Sequence, residues 1–469
     1  MTTTSLSTSG GGAAVEAPIQ RYHCTTVPFS GDPVLVAARL AGAVTSGPYL
    51  VYENAGTYSI GMGAAAELTV ERTEVRLRTG EGVNAAPWSE RPLDEVARLT
   101  AQFPVEDWRA YGIASFELSY ANAGLPADGG DAPLLHLFVP ESEVRLKDGE
   151  ALVRSLDPGR LPELTALVSE PTAEPGHRAE HVDIERSGDS EAYCKIVHEA
   201  VEEIRSGKLQ KVVLSRVVPL PSRFDPAATY VLGRRRNNPA RSFLLDVGGL
   251  RAVGFSPETV VEVTADGHVV TQPLAGTRRL TEDGEENRRL HDQLLSDSKE
   301  IFEHAISAKV AYDELAELCV PGTVAVNDLM SIKERGTVQH LASSVSGRLP
   351  EGVRNWDALT ALFPAVTASG VPKSAAYECI QRYEQGERGL YSGTVLTVDE
   401  DGTMDAALTL RTVFEQGGLA WLRAGAGVVE QSDPEREFEE TCEKLRSVAL
   451  NIVPAEETDT NKGNGARDA

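Results

Sequence analysis

The sequence predicts an α+β protein built on antiparallel sheets. Three observations carry that expectation. β-like runs recur along the whole chain and several are joined by short turns. Long amphipathic helices are interspersed among them without strict strand–helix alternation. Finally, no Walker A loop and no GxGxxG between a strand and a helix is present, so neither a doubly wound sheet nor a nucleotide cofactor has support. There is also no fixed-period internal repeat.

In chain order, residues 1–18 are rich in Ser, Thr and Gly, and residues 456–469 are polar and charged; both ends are expected to be disordered. Between them residues 19–455 read as one unit, with an N-terminal portion, 19–180, and a motif-bearing portion, 181–455. Early strands fall at Pro48–Tyr52 and Thr57–Met62, and the aromatic run Asp107–Tyr120 (DWRAYGIASFELSY) reads as core. The Pro/Glu-rich stretch Ser169–Glu180 marks a linker or excursion. A helix follows over Ser190–Ser206, with Tyr193, Ile196, Val197, Ala200, Val201 and Ile204 at helical spacing and Gly207 as its C′ residue. It leads into the strand KVVLSRVV, then SFLLDV, then a hairpin, TVVEVTADGHVVTQPL, turning at Asp266-Gly267. A long helix spans about Ser298–Leu318, and strands near YSGTVLTV, DAALTLRTVFE and LAWLRAGAGVV precede a final acidic helix.

Composition narrows the function. The chain has 469 residues, enough for two or three domains or one large enzyme. Its 70 Asp and Glu against 45 Lys and Arg argue against nucleic-acid or anionic-membrane partners, which need basic patches. It lacks any apolar run of membrane-spanning length, and its first residues lack a basic region followed by an apolar one, so a cytoplasmic location is expected. The cysteines, Cys24, Cys194, Cys319, Cys379 and Cys442, are odd in number and lack C-x-x-C spacing, which fits reduced thiols and no structural zinc.

The chemistry concentrates near the C-terminus, where Arg423–Lys444 reads RAGAGVVEQSDPEREFEETCEK. A glycine-rich turn, Gly425 and Gly427, leads there into a helix on which Glu437, Glu440 and Lys444 share one face. Upstream, SKEIFEH repeats the device with Glu300 and Glu303. One such pair alone is more often a solvated helix face. Two together suggest a Mg²⁺ cage completed by an anionic ligand, since this ion takes few carboxylates plus water and ligand oxygens.

Other residues admit two readings each. Lys211 alternates onto the face of Val213 and Ser215; it is either an edge lysine reaching solvent or a desolvated general base. Glu258, in the turn FSPE, is either a surface residue at a strand entry or a carboxyl that keeps its proton as a general acid. Gly276 and Thr277, in PLAGTRR, offer close backbone approach and a hydroxyl, while Arg278 and Arg279 read as solvated. Thr367 centres the loop LFPAVTASGVPK. Arg411, in LTLRTVF, reads as a strand arginine suited to a carboxylate. Tyr391 is a core tyrosine or a phenolic donor, and His340 a structural histidine or a pocket residue.

Taken in order, KVVLSR, GFSPE, PLAGTR, SKEIFEH, RGTVQHL, LFPAVTASGVPK, RGLYSG, LTLR and the C-terminal motif resemble the chorismate-utilising enzymes over about Lys208–Val448. Within them the chain looks closest to the bacterial, mycobacterial-type salicylate synthases of siderophore metabolism. The resemblance implies two antiparallel sheets packed face to face with flanking helices. It implies Mg²⁺ on Glu303, Glu437 and Glu440, with Glu300 a further ligand or outer partner, and chorismate as substrate. Lys211 would activate the water that attacks ring C2, as in members that add water where anthranilate synthases, with glutamine there, add ammonia. Glu258 would protonate the departing C4 hydroxyl. Tyr391, Arg411 and the Gly425 and Gly427 backbone would hold the pyruvyl carboxylate; Gly276, Thr277 and Lys444 would lie near the ring end, with Thr367 and His340 lining the pocket.

The lysine of the PIKGT motif of aminodeoxychorismate synthases is Ala275 here, which argues against a covalent lysine intermediate. The resemblance thus implies a salicylate synthase that joins isochorismate synthase and isochorismate pyruvate-lyase activities. Release of isochorismate is the alternative, an ammonia-using anthranilate-synthase-like enzyme a disfavoured second one, and a non-catalytic relative is opposed by the intact Lys211, Glu258 and acidic positions. A monomer is the default expectation.

Overall fold

The computed structural model describes residues 19–127, 130–171, 179, 182–184 and 190–455. The two ends expected to be disordered, 1–18 and 456–469, and most of the Pro/Glu-rich stretch lie outside the described residues.

Two large antiparallel sheets make up the body. In the first, eleven strands follow one another in space as those beginning at His23, Glu150, Ser142, Thr57, Tyr49, Arg241, Leu250, Thr412, Leu419, Lys211 and Gly370. In the twelve-stranded second sheet, the strand Val338–Arg348 takes Ala325–Arg335 on one flank, and His268–Thr271 and Leu274–Arg279 on the other. Beyond them come the strands beginning at Thr259, Met404, Thr394, Arg109, Leu135, Ala66, Glu74 and Gly82. Both sheets interleave early and late parts of the chain: Tyr49–Asn54 pairs with Arg241–Val247, and Arg109–Ala114 with Thr394–Asp399.

Period-two alternation explains how the sheets stack. In Arg241–Val247, Phe243, Leu245 and Val247 point toward the second sheet and join Leu50, Tyr52, Tyr111, Phe138, Val395 and Phe414 in one apolar layer. Leu244 points the other way, onto the helices Pro33–Gly42 and Pro226–Arg236. A strand covered on both faces must be apolar on both, so SFLLDV reads as a continuous run. The helices Pro92–Thr100, Ser298–Leu318 and Asn355–Leu362 cover the far face of the second sheet in the same way. Polar groups at this layer are paired across it: Tyr52 donates to Asp405 at 2.9 Å, and Arg241 bridges Asp405 and Glu262, both at 2.9 Å.

Helix ends follow local chemistry. Ser190–Arg205 buries Tyr193, Val197, Ala200, Val201 and Ile204 against Val212 and Leu214 of the neighbouring strand. The carboxylate of Asp297 caps Ser298–Leu318 by accepting from the Lys299 and Glu300 amides, and Asp433 caps Pro434–Ala449 by accepting from Arg436 at 3.0 Å. Among the described residues no helix is long and apolar enough to cross a membrane.

Two expectations are corrected. Gly425 and Gly427 lie inside the strand Leu419–Val428 and not in a turn. DAALTLRTVFE is not one strand but two, Met404–Leu408 in the second sheet and Thr412–Gln416 in the first. Arg411 stands between them with φ at +53°, so the chain turns a corner there and changes sheet. A matching crossing runs the other way, from Leu250–Ser256 through Pro257 and Glu258 into Thr259–Val263. The two crossings are bonded to each other. Ser256 Oγ donates to the carbonyls of Leu408 and Glu258 at 2.5 and 2.8 Å, the Leu408 amide donates to Glu258 O at 3.1 Å, and the Phe255 amide to Arg411 O at 3.1 Å.

The tight spacing beside this junction gives a test. A Cβ on Gly254 would stand 2.2 Å from Phe243 Cζ and 2.6 Å from Thr412 Oγ1, its partners on the two adjacent strands. Gly254→Ala should therefore cost about 1–3 kcal/mol of stability through overpacking, read as a lower midpoint in urea unfolding. An unchanged midpoint would mean that Phe243 yields without cost.

Candidate active site

The two crossings deliver Glu258 and Arg411 into one pocket. Its walls come from both sheets and from the helices that flank them, and include Val213, Gly276, Thr277, Glu303, His340, Thr367, Tyr391, Gly425, Gly427, Glu440 and Lys444. The strand Lys211–Pro219 aims Lys211, Val213 and Ser215 this way while Val212 and Leu214 pack beneath. The adjacent strand Leu419–Val428 pairs with it in register, Val213 opposite Gly427 and Ser215 opposite Gly425. Gly427 has no room for a side chain, because a Cβ would lie 2.1 Å from Glu303 Oε1. Gly276 sits at φ +80° in a bulge of Leu274–Arg279, which turns the Thr277 amide onto Glu300 Oε2 at 3.2 Å.

Glu258 is enclosed at one side of the pocket. Burial pushes its carboxyl up to about 8, against the hydrogen bond from Thr367, the Leu274 amide and the nearby Lys211 and Lys444. At neutral pH it holds a proton to give, as a general acid requires. The Lys211 ammonium is fully buried and bonds Glu303 Oε1 and Ser307 Oγ, each at 3.0 Å.

Arg411 lies opposite in character. Burial lowers its guanidinium to about 10, and among the described residues no carboxylate stands within ion-pair distance of it. Its contacts are the Lys444 carbonyl and Ser447 Oγ, both at 3.4 Å, and His340 Nε2 at 3.3 Å. Burial and the facing Arg411 hold His340 far below its ordinary range, so the ring is neutral. It accepts from Arg411 at Nε2 and reaches Gly276 O and Thr277 Oγ1 from Nδ1, each at 3.2 Å. A buried cation without a counter-ion, open to a pocket, is a seat for an anion.

The four acidic positions form the remaining wall. Each holds a cation: Glu300 with Arg278 at 2.8 Å, Glu303 with Lys211, Glu437 with Lys299 at 2.6 Å, and Glu440 with Lys444 at 2.7 Å. Among the described residues no three His, Cys, Asp or Glu side chains are disposed to hold a metal ion unaided. Burial and mutual repulsion nevertheless act on these carboxylates. Burial, and then Glu440, pushes Glu300 up; burial raises Glu437 to about 7, with Glu440 adding to it against Lys299. Burial opposes the charge on Glu440 too, but Lys444 and Lys299 hold it at about 2. Glu437 Oε2 is buried without a hydrogen-bond partner. An all-carboxylate donor set with one orphaned oxygen fits a hard divalent ion that brings water and ligand oxygens to complete its shell.

Of the residues singled out from sequence, Glu258, Gly276, Thr277, Glu303, His340, Thr367, Tyr391, Arg411, Gly425, Gly427, Glu440 and Lys444 line the pocket. Lys211, Glu300 and Glu437 stand behind it, reaching the lining through Glu303, Thr277 and the acidic cluster. Arg278 is not solvated as expected; it pairs with Glu300 and, at 2.7 Å, with Asp297. The reading missed Arg423, a lining residue tied to Ser215 Oγ at 2.9 Å and to Glu384, which also clamps Arg388. Strand alternation, which puts Arg423 on the face of Gly425 and Gly427, was the signal for it. It missed Ser307 as well, one helical turn beyond Glu303.

Comparison with known proteins gives the family and the fold. The family model for chorismate binding enzyme matches residues 46–450. The chain is 42% identical over 460 residues, 97% of its length and 99% of the relative's, to the salicylate synthase of Mycolicibacterium paratuberculosis. Its fold is similar to the menaquinone-specific isochorismate synthase from Escherichia coli, with a TM-score of 0.71, 23% identity, and 94% and 96% of the two chains covered. It is also similar to anthranilate synthase component I from Streptococcus pneumoniae, with a TM-score of 0.70, 25% identity, and 87% and 93% covered. With the family model spanning nearly all of both sheets and a full-length relative at this identity, the chain belongs to the chorismate binding enzyme family.

Proposed function

We propose that the chain is a Mg²⁺-dependent salicylate synthase that converts chorismate through isochorismate to salicylate and pyruvate, in a cytoplasmic, siderophore-type biosynthetic setting. The observation that carries this reading is one pocket holding a protonated Glu258 and an uncompensated Arg411. The full-length likeness to a salicylate synthase supports this member of the family, and the five free thiols suit a reducing compartment.

Chorismate is a dianion with a ring carboxylate, an enolpyruvyl carboxylate and a C4 hydroxyl. Arg411, with Tyr391 and the Gly425 and Gly427 backbone, receives the pyruvyl carboxylate. This leaves the ring directed to the acidic wall, near Gly276, Thr277 and Lys444. Glu303, Glu437 and Glu440, with Glu300, would hold Mg²⁺, which supplies charge neutralisation for the ring carboxylate. In the first step Lys211, acting from its neutral amine form, takes a proton from water as its oxygen bonds to C2, the ring double bonds shift, and the C4–oxygen bond breaks with Glu258 giving its proton to the leaving hydroxyl. Water is consumed and returned, and the product is isochorismate. In the second step the C2 hydrogen passes to the enolpyruvyl methylene as the C3–oxygen bond breaks, giving pyruvate and the aromatic ring. That cyclic rearrangement needs a held conformer and no protein base, a task that Arg411, His340 and Thr367 can perform by positioning.

The test is incubation of the purified chain with chorismate and Mg²⁺, without ammonia, and identification of the products over time. Salicylate with equimolar pyruvate is expected; isochorismate alone would make the chain an isochorismate synthase. Lys211→Ala should lower turnover of chorismate by roughly 10²–10⁴-fold yet leave conversion of supplied isochorismate near the wild-type rate. Equal loss of both would remove the base role. The acid role sets a pH limb: Glu258 is protonated below about 8 and loses its proton above, so turnover of chorismate should fall as pH rises through that value. A rate still level beyond about pH 9.5 would exclude Glu258 as the proton donor.

A further inference from the structure

Lys299 has no part in the chemistry above, yet it stands among all four acidic side chains. It follows Ser298 in the first turn of Ser298–Leu318, one residue before Glu300, and its ammonium bonds Glu437 Oε1 at 2.6 Å. Burial disfavours its charge, but Glu437, Glu440, Glu303 and Glu300, in that order, more than offset this and hold it as an ammonium. The other cations of the cluster are tied elsewhere as well: Arg278 to Asp297 and the Thr277 carbonyl, Lys211 to Ser307, and Lys444 to the Gly425 carbonyl. Among the described residues Lys299 Nζ has Glu437 as its one hydrogen-bonded acceptor, and the side chain keeps 16% of its surface exposed. It is therefore the cation of the cluster with the fewest hydrogen bonds, and it is partly exposed on a flexible four-carbon stem. Its partner has the second oxygen, Oε2, buried and unpaired.

We propose that Lys299 is a resident counter-cation of the carboxylate cluster, neutralising it in the metal-free protein and withdrawing toward solvent when a divalent ion enters. This inference rests on the metal reading given above and adds a residue to it that is not a ligand. Two positive centres cannot share a nearly dry carboxylate cluster without strong mutual repulsion. Lys299 thus weakens divalent binding while it protects the empty site from the repulsion of its own carboxylates.

The experiment is calorimetric titration of the substrate-free protein with MgCl₂ and MnCl₂, for wild type, Lys299→Met and the charge-keeping Lys299→Arg, with thermal midpoints taken in chelator. Lys299→Met should bind the metal roughly tenfold or more tightly, melt lower than wild type in chelator, and regain the difference on adding Mg²⁺. Lys299→Arg should stay near wild type. If Lys299→Met does not fold, Lys299→Gln takes its place under the same criteria. Wild-type binding with an unchanged or weaker affinity in the neutral variant would overturn this inference alone, and would make Lys299 a residue that merely orients Glu437. Absence of binding in both proteins would overturn the metal reading and this inference together.

Discussion

The hydroxyl of Ser256 ties together two chain crossings, and the arrangement of the site depends on that tie. One crossing takes the chain from the first sheet to the second through Glu258; the other brings it back through Arg411. Both would be irregular backbone buried between layers, where unpaired amides and carbonyls are costly. Bonding the crossings to each other through Ser256, Leu408, Phe255 and Arg411 satisfies those groups internally. The same bonds fix the distance between an acid and a guanidinium that lie about 150 residues apart in sequence. Positioning of the reactive ends is thus a by-product of how two sheets exchange strands.

Electrostatics supplies the second constraint. A cavity that buries Glu258, Arg411 and His340 penalises every charge in it, and each group responds by its surroundings. Glu258 has weak compensation and stays protonated, and His340 faces a guanidinium and stays neutral. Glu440 stands between two ammoniums and stays ionised. Arg411 cannot shed its proton in any ordinary range, so it waits for an anion. Below it, the clamp of Glu384 on Arg388 and Arg423 sets the floor around Tyr391, with both guanidiniums within 6 Å of the tyrosine ring. One carboxylate between two guanidiniums fixes their geometry and leaves a net positive charge beside the pocket that Arg423 lines.

Most of the strands, the long helices and the pocket lining were legible from the sequence because they rest on local signals. Period-two runs gave the strands, helical spacing gave Ser190–Arg205, and motif order brought distant residues to one pocket. What escaped was non-local. Whether LTLRTVF continues straight or turns at Arg411 depends on which sheet each half joins, and no local propensity encodes that. Gly425 and Gly427 look like turn residues until the partner is known: the carboxylate of Glu303 fills the space of a side chain on Gly427. Arg278 passed for a surface residue because its partners, Asp297 and Glu300, come from the next helix. Arg423 was hidden by its neighbours, since attention to RAGAG falls on the glycines and not on the arginine that shares their face.

The strand Leu419–Val428 lies between Thr412–Gln416 on one side and Lys211–Pro219 on the other. Translation makes it more than two hundred residues after Lys211. Until it leaves the ribosome, Lys211–Pro219 has an open edge, its buried lysine lacks a floor, and Glu437, Glu440 and Lys444 do not yet exist. Contacts that span so much chain slow folding and leave unpaired edges exposed in the meantime. The nascent protein must therefore carry its early strands unfinished through most of synthesis, and it acquires sheet closure and the walls of the pocket together, when the last part of the chain emerges.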